Sequence, residues 1–141
     1  MPKSEHFSER ELACKGKDCC GGTSAVSSGH CASLELLRME VIVLAAKKGI
    51  KYGAGLKINS GFRCKKHNKA VGGAEKSDHI RGEGTDIKTP YFMSDIRFYN
   101  LAKSLKIADI PVFTSLGLYD GRIHVGTVNS PFGIVREWSC K

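Results

Sequence analysis

No stretch of this chain approaches the ~18 uninterrupted apolar residues that a transmembrane helix needs, so membrane insertion is not expected. The opening stretch, MPKSEHFSEREL, lacks the apolar segment of a secretory signal, which predicts a chain made as a soluble cytosolic protein. Aromatic residues are sparse, at 8%. The basic residues, Lys47, Lys48, Lys51, Lys57, Lys65, Lys66, Lys69 and Lys76 among them, are scattered rather than gathered in one block with aromatics. That distribution argues against specific nucleic-acid recognition.

What is present fits one ordinary domain. A chain of 141 residues buries about two thirds of its unfolded surface, and 41% hydrophobic with 26% charged residues is the balance of a soluble globular protein. Lys and Arg outnumber Asp and Glu by 22 to 14, a net charge of +8 that favours polyanions: nucleic acid, anionic membrane or anionic cell-wall polymer. Six cysteines stand at 14, 19, 20, 31, 64 and 140, four of them within the first 31 residues. A cytosolic origin predicts thiols, or a small metal knot that includes His30, whereas an oxidising exterior predicts disulfides.

Along the chain, residues 1–32 are rich in Gly, Ser, Cys and charge and predict an irregular N-terminal lobe, with the core domain at 33–141. From Ser33, a plausible N-cap, Leu34, Leu37, Val41, Leu44 and Ala45 recur at helical spacing until Lys47, Lys48 and Gly49 stop the helix. LKINSGFR predicts a short strand, CKKHNKAVGG a short helix closed by Gly72 and Gly73, and GTDIKTP another strand stopped by Pro90. SDIRFYNLAKSLKI predicts a second amphipathic helix capped by Ser94. The last third is β-rich, with turn signals at Asp120-Gly121 and Asn129-Ser130-Pro131. Helices first and strands last predict an α+β fold, helices packed on a mostly antiparallel sheet.

The strongest local signal is GLYDGRIHVG, where Asp-Gly between alternating runs predicts a type I′ hairpin. Tyr119 then faces Arg122, Leu118 faces Ile123, Gly117 faces His124 and Leu116 faces Val125. One face carries Leu116, Leu118, Ile123 and Val125 toward a helix. The other carries Tyr119, Arg122 and His124, with Gly117 and Gly126 leaving space beside the histidine. Upstream, SDHIRGEGTD sets His79 and Asp86 in a glycine-punctuated loop. Alone, that pair fits a polar turn leading into a strand better than a metal site. With His124 it makes two histidines and a carboxylate, the donor set of catalytic zinc sites that leave a fourth position for water.

SGFRCKKHNKAVGGAEKSDHIRGEGTDI resembles the core motif of zinc D-alanyl-D-alanine carboxypeptidases and L-alanyl-D-glutamate endopeptidases, cell-wall metallopeptidases related in fold to the hedgehog signalling domain. That motif reads S-G-[FY]-R, then H-N-x-x-V-G-G-A, then S-x-H-x-x-G-x-A-x-D, followed later by a histidine strand to which GLYDGRIHVG is similar. The resemblance runs from about Leu34 to Trp138. It implies zinc held by His79, Asp86 and His124, and Arg63 meeting a substrate carboxylate or the carbonyl under attack. Ser77 would hold the ligand loop and touch substrate, with Tyr119 and Arg122 beside it. Gly82 and Gly84 would let the loop fold back; Gly84 stands where the family usually has Ala, a change read as neutral.

The sequence departs from the family at the general base. Members carry an acidic residue three before the last histidine, a second histidine two before it, or Asp two after it. Here those positions are Gly121, Arg122 and Gly126. Asp120 is the nearest acid and the first candidate, with Glu83 and Tyr119 as others. The resemblance thus implies a zinc hydrolase of peptidoglycan peptides, with phage lysis or virion-associated enzymes as its counterparts among chains lacking a signal peptide. Two rivals stand beside it: a non-catalytic zinc-containing binding module of the same fold, and a basic nucleic-acid-binding protein working through the cysteine-rich segment.

Overall fold

The computed structural model describes residues 4–128 and 133–140; the turn expected at Asn129-Ser130-Pro131 lies outside them. The long helix begins earlier than Ser33. Ser27 is its N-cap, accepting from the His30 N–H at 3.1 Å, and α2 runs over Ser28–Lys47. His30, Cys31, Leu34, Leu37, Val41 and Ala45 form its buried stripe. Gly49, at φ 72°, ends it: the Ile50 N–H reaches the Ala45 carbonyl at 2.9 Å and Gly49 N–H reaches Ala46 at 3.1 Å, the paired bonds of a Schellman cap.

The cysteine-rich N-terminal segment holds regular structure as well. A short helix, α1 (Glu9–Leu12), is started by a reciprocal capping box between Ser8 and Glu11, a signal present in SERE. Phe7 and Leu12, at the two positions of a hydrophobic staple, are both buried and join the same core cluster as α2. Val26 and Cys31 join it too.

One five-stranded sheet organises the rest. β1 (Ile58–Ser60), β2 (Gly84–Lys88), β5 (Ser115–Tyr119), β6 (Arg122–Gly126) and β7 (Arg136–Ser139) lie in the order β1-β2-β6-β5-β7. All neighbours are antiparallel except β5 and β7. The fold is therefore α+β on a mostly antiparallel sheet, as the pattern of elements predicts. Between β1 and β2 stands α3 (Lys65–Ala70); α4 (Asp95–Ser104), capped by Ser94, lies across β5 and β6 and meets α2. Phe98, Tyr99 and Ala102 of α4 pack with Leu116, Ile123, Val125 and Ile87 in the core.

Two local expectations are corrected. The helix expected through Ile107 stops at Ser104, because Lys106–Ile107 (β3) turns back on Ile110–Pro111 (β4) through Ala108 and Asp109, both at positive φ. The Asp120-Gly121 hairpin keeps the expected register, Tyr119 to Arg122 through Leu116 to Val125. Its turn is not type I′: among the pair only Gly121 takes positive φ, at 77°, the sign pattern of a type II turn. Gly121 N–H donates to Asp95 Oδ2 at 3.1 Å and its carbonyl accepts from Thr89 N–H, so tertiary bonds to the start of α4 select the turn.

The corrected helix start is testable. Ser27→Ala should cost about 1 kcal/mol in urea unfolding, whereas Ser33→Ala, which removes only a bond to the Gly29 carbonyl, should cost under about 0.5 kcal/mol.

Candidate metal centre

Strand pairing brings the centre together. Asp86 of β2 stands directly opposite His124 of β6, on the sheet face away from α4, while Thr85, Ile87, Ile123 and Val125 point into the core. His79 arrives from the loop before β2. Its ring lies edge-on to that of His124 with centroids 5.0 Å apart. One donor atom from each of His79, Asp86 and His124 falls within 4.8 Å of the others.

The ligand loop is held by the neighbouring motif. His79 Nδ1 lies 2.7 Å from the Gly61 carbonyl, and the His79 carbonyl accepts from Arg63 N–H at 3.1 Å, so SGFR and SDH brace each other. Ser77 Oγ accepts from His79 N–H at 3.2 Å, the loop-holding role expected of it. Gly82, at φ 69°, lies so close to Ala25 that any Cβ would collide with its carbonyl oxygen, and its own carbonyl accepts from Ser27 N–H.

The hydrogen bonds of the two rings suit these residues to a cation. A carbonyl only accepts, so His79 Nδ1 must donate to Gly61, which leaves the lone pair of a neutral ring on Nε2, 3.3 Å from Asp86 Oδ1. His124 Nε2 faces Asp78 Oδ2 at 2.9 Å and donates there, leaving its Nδ1 lone pair 3.0 Å from the same Asp86 oxygen. Two nitrogen acceptors therefore converge on an oxygen acceptor. A divalent cation satisfies all three at once, and the donor set fits zinc.

Asp78 is the residue that sequence reasoning missed. It was only the variable position of S-x-H, yet it is 3% exposed and receives His124 Nε2, the Ser115 hydroxyl and Arg136 Nη2 at 3.1 Å. Burial alone would raise its pKa; the bonds from His124 and Ser115 and the charge of Arg136 hold it down to about 2. Burial likewise works against Asp86, but the adjoining His124 and His79 rings keep that carboxyl well below the usual range. Burial disfavours charge on His124, and the two carboxylates outweigh it and raise its pKa.

The space left by glycines beside His124 is filled rather than open. A Cβ at Gly126 would lie 2.0 Å from Ser115 Oγ and 2.5 Å from Asp78 Oδ2, and one at Gly84, its cross-strand partner, 2.5 Å from Asp78 Cβ. Gly84 is therefore not a neutral replacement for Ala: with Gly126 it opens the notch that Asp78 occupies. Gly117 is covered in the same way by the Trp138 indole.

A cleft of about 510 Å³ opens over the centre, lined by Arg63, Ser77, Tyr119 and Arg122 as expected, and also by Lys76, Arg136 and Trp138. Arg122 lies over the Tyr119 ring, 4.3 Å from its centroid, and the Tyr119 hydroxyl accepts from Trp138 Nε1 at 2.7 Å. Burial raises the pKa of Tyr119, so it remains a proton donor rather than a base. Arg63 is 4.0 Å from Asp86, and its buried Nε has no hydrogen-bond partner. Asp120 and Glu83 do not line the cleft; Asp120 sits in the exposed turn that is bonded to α4.

The family model described as Peptidase M15 matches residues 5–126. The chain belongs to this family, a group of zinc-dependent metallopeptidases. The match begins well before Leu34, inside the segment that carries the N-terminal cysteines, and ends before β7. No curated protein matches the chain.

Gly126→Ala should displace Asp78 or Ser115. The expected loss is about 2 kcal/mol of stability in chelated protein, read by urea unfolding, together with weaker zinc binding in a competition titration.

Proposed function

We propose that the chain is a zinc peptidase that hydrolyses an amide bond in the stem peptides or cross-links of bacterial peptidoglycan. The observation that carries the reading is the convergence of two imidazole lone pairs and one carboxylate under a cleft whose other charged lining is mostly cationic, Arg63, Lys76, Arg122 and Arg136 against Asp78. His79 Nε2, Asp86 and His124 Nδ1 would hold the ion. Zinc there supplies Lewis-acid activation of water and of the scissile carbonyl.

The chain's own residues do the rest. Asp78 and the Gly61 carbonyl each take an N–H from a ligand histidine, which fixes the rings and makes their free nitrogens better donors. Arg63 offers an unpartnered buried Nε to a substrate carboxylate or to the carbonyl oxygen as charge develops on it. Tyr119, kept protonated, can donate to the same oxygen. Lys76, Arg63, Arg122 and Arg136 outnumber Asp78 and Asp86 in the cleft, which suits the several carboxylates of a peptidoglycan stem peptide. The net charge of +8 favours adsorption to an anionic wall. We infer action at the cell wall after synthesis in the cytoplasm, in the manner of a phage lysis or virion-delivered enzyme.

A second reading has its own support. Among the described residues that line the cleft, both carboxylates are already committed, Asp86 to the donor set and Asp78 to His124, Ser115 and Arg136. A module that binds wall peptides through zinc without cleaving them would have the same lining.

Mass spectrometry of fragments released from purified peptidoglycan, with chelator and with zinc add-back, separates the two. Chelator-sensitive release of alanine or of peptides cut at one bond identifies the peptidase and its bond. A zinc-loaded chain that binds peptidoglycan and releases nothing is the module.

For the peptidase, His79→Ala and His124→Ala should each abolish zinc binding at this centre, and with it turnover. Arg63→Ala should keep zinc and lower kcat/KM by about 10- to 100-fold. Asp78→Asn should weaken zinc affinity by about 10- to 100-fold. Asp120→Asn should leave turnover within about twofold, since its turn is bonded to α4 rather than to the cleft. A large loss there would restore Asp120 as the proton carrier.

A further inference from the structure

Far from the histidines in sequence, a second group of donors has assembled. The sulfurs of Cys14, Cys19, Cys20 and Cys64 all lie within 4.8 Å of one another. Cys14 Sγ is 3.9 Å from that of Cys19 and 3.8 Å from that of Cys64, and Cys19 and Cys20 are 3.9 Å apart. A disulfide needs about 2.05 Å between sulfurs, and all four are free thiols. Four thiolates around zinc at about 2.3 Å stand at the corners of a tetrahedron whose edge is about 3.8 Å. The observed spacings match that edge.

The backbone around the sulfurs is shaped to keep them there. Cys14 N–H donates to the Thr23 carbonyl at 2.8 Å, closing the segment between them into a loop. Asp18, Gly21 and Gly22 take positive φ within it, at 53°, 70° and 78°, and so turn Cys19 and Cys20 inward. Lys66 Nζ ties the Asp18 carbonyl at 2.7 Å, holding that left-handed non-glycine residue from α3. A Cβ at Gly16 would sit 2.7 Å from Cys19 Sγ and 2.8 Å from the His67 side chain, so the loop can close over the sulfurs only with glycine there. Cys64, the N-cap of α3, accepts the His67 N–H at 3.4 Å, the kind of bond that supports a thiolate. Lys15, Lys17, Lys65 and Lys66 adjoin the ligands in sequence and would offset the two negative charges of a tetrathiolate with a divalent ion. His30, the partner expected from sequence, is elsewhere: it is buried between Thr85 at 2.6 Å and Thr127 at 2.8 Å, and burial lowers its pKa to about 3.

We propose that Cys14, Cys19, Cys20 and Cys64 bind a structural zinc ion, separate from the His79, Asp86 and His124 centre. Binding replaces four thiol protons, released to solvent, with four Zn–S bonds, and involves no redox change. No coordination position is left for water, so the site is structural. It clamps the N-terminal loop to the residue that follows Arg63, and Arg63 N–H is bonded to the His79 carbonyl. The site therefore ties the N-terminal loop to the segment that braces His79.

The test is zinc content per chain of the full-length protein purified without chelator, for the wild type, for Cys19→Ser with Cys20→Ser, and for His79→Ala with His124→Ala. Two zinc ions in the wild type and one in each double variant are expected. One ion that persists in the histidine variant and disappears in the cysteine variant also supports the tetrathiolate site, and it refutes the histidine centre instead. One ion that disappears with the histidines and persists without the cysteines overturns the proposal. So does non-reducing peptide mapping that finds a disulfide among the four. Should the cysteine variant not fold, the histidine variant loaded with cobalt(II) decides: sulfur-to-cobalt charge-transfer absorption with intense tetrahedral d–d bands is expected, and its absence overturns the site.

Discussion

The cleft depends on one pairing, Asp86 of β2 opposite His124 of β6. A slip of one residue between these strands would send the carboxylate and the imidazole to opposite faces. What forbids the slip is the other face, where Thr85, Ile87, Ile123 and Val125 are all fully buried against α4 and its neighbours. Burial of apolar side chains, non-directional in itself, thus becomes directional at the metal centre through the two-residue period of the strand. Core packing and donor geometry are the same constraint seen from two sides of one sheet.

Asp78 shows how the outer face is finished. A buried carboxylate is costly unless it is fully bonded, and this one has an imidazole, a hydroxyl and a guanidinium. It fits only because Gly84 and Gly126, adjacent across the ladder, have no side chains. Two residues after the last histidine stands Gly126, and the carboxylate of Asp78 occupies the space above it. The group that orients His124 therefore comes from the ligand loop rather than from the strand.

Much was legible in the sequence because it is local. The helical stripe of α2, the Ser94 cap, the strand around Asp86 and the hairpin register follow from periodicity and turn chemistry within about ten residues. Some local signals were present but weaker than their rivals: the Ser8 and Glu11 capping box of α1 lies in a segment whose glycines and cysteines suggest a loop, and Ser27 caps the helix although Ser33 precedes the clearer apolar run. The turn at Asp120-Gly121 changed type because Asp95 and Thr89, far away in sequence, bond its backbone.

By itself the sequence determined which residue types could bind a metal, that His124 faces Gly117 across a hairpin, and that a glycine-rich stretch leads from His79 to the strand of Asp86. Only the tertiary structure decided that these three meet, that Asp78 rather than Asp120 is the acid beside them, and that Cys64 joins cysteines from the first twenty residues while His30 does not. The physical reason is that periodicity encodes the face a side chain occupies, whereas convergence requires that separate faces be stacked and paired. That depends on what the whole core can bury, and no short stretch of the chain contains it.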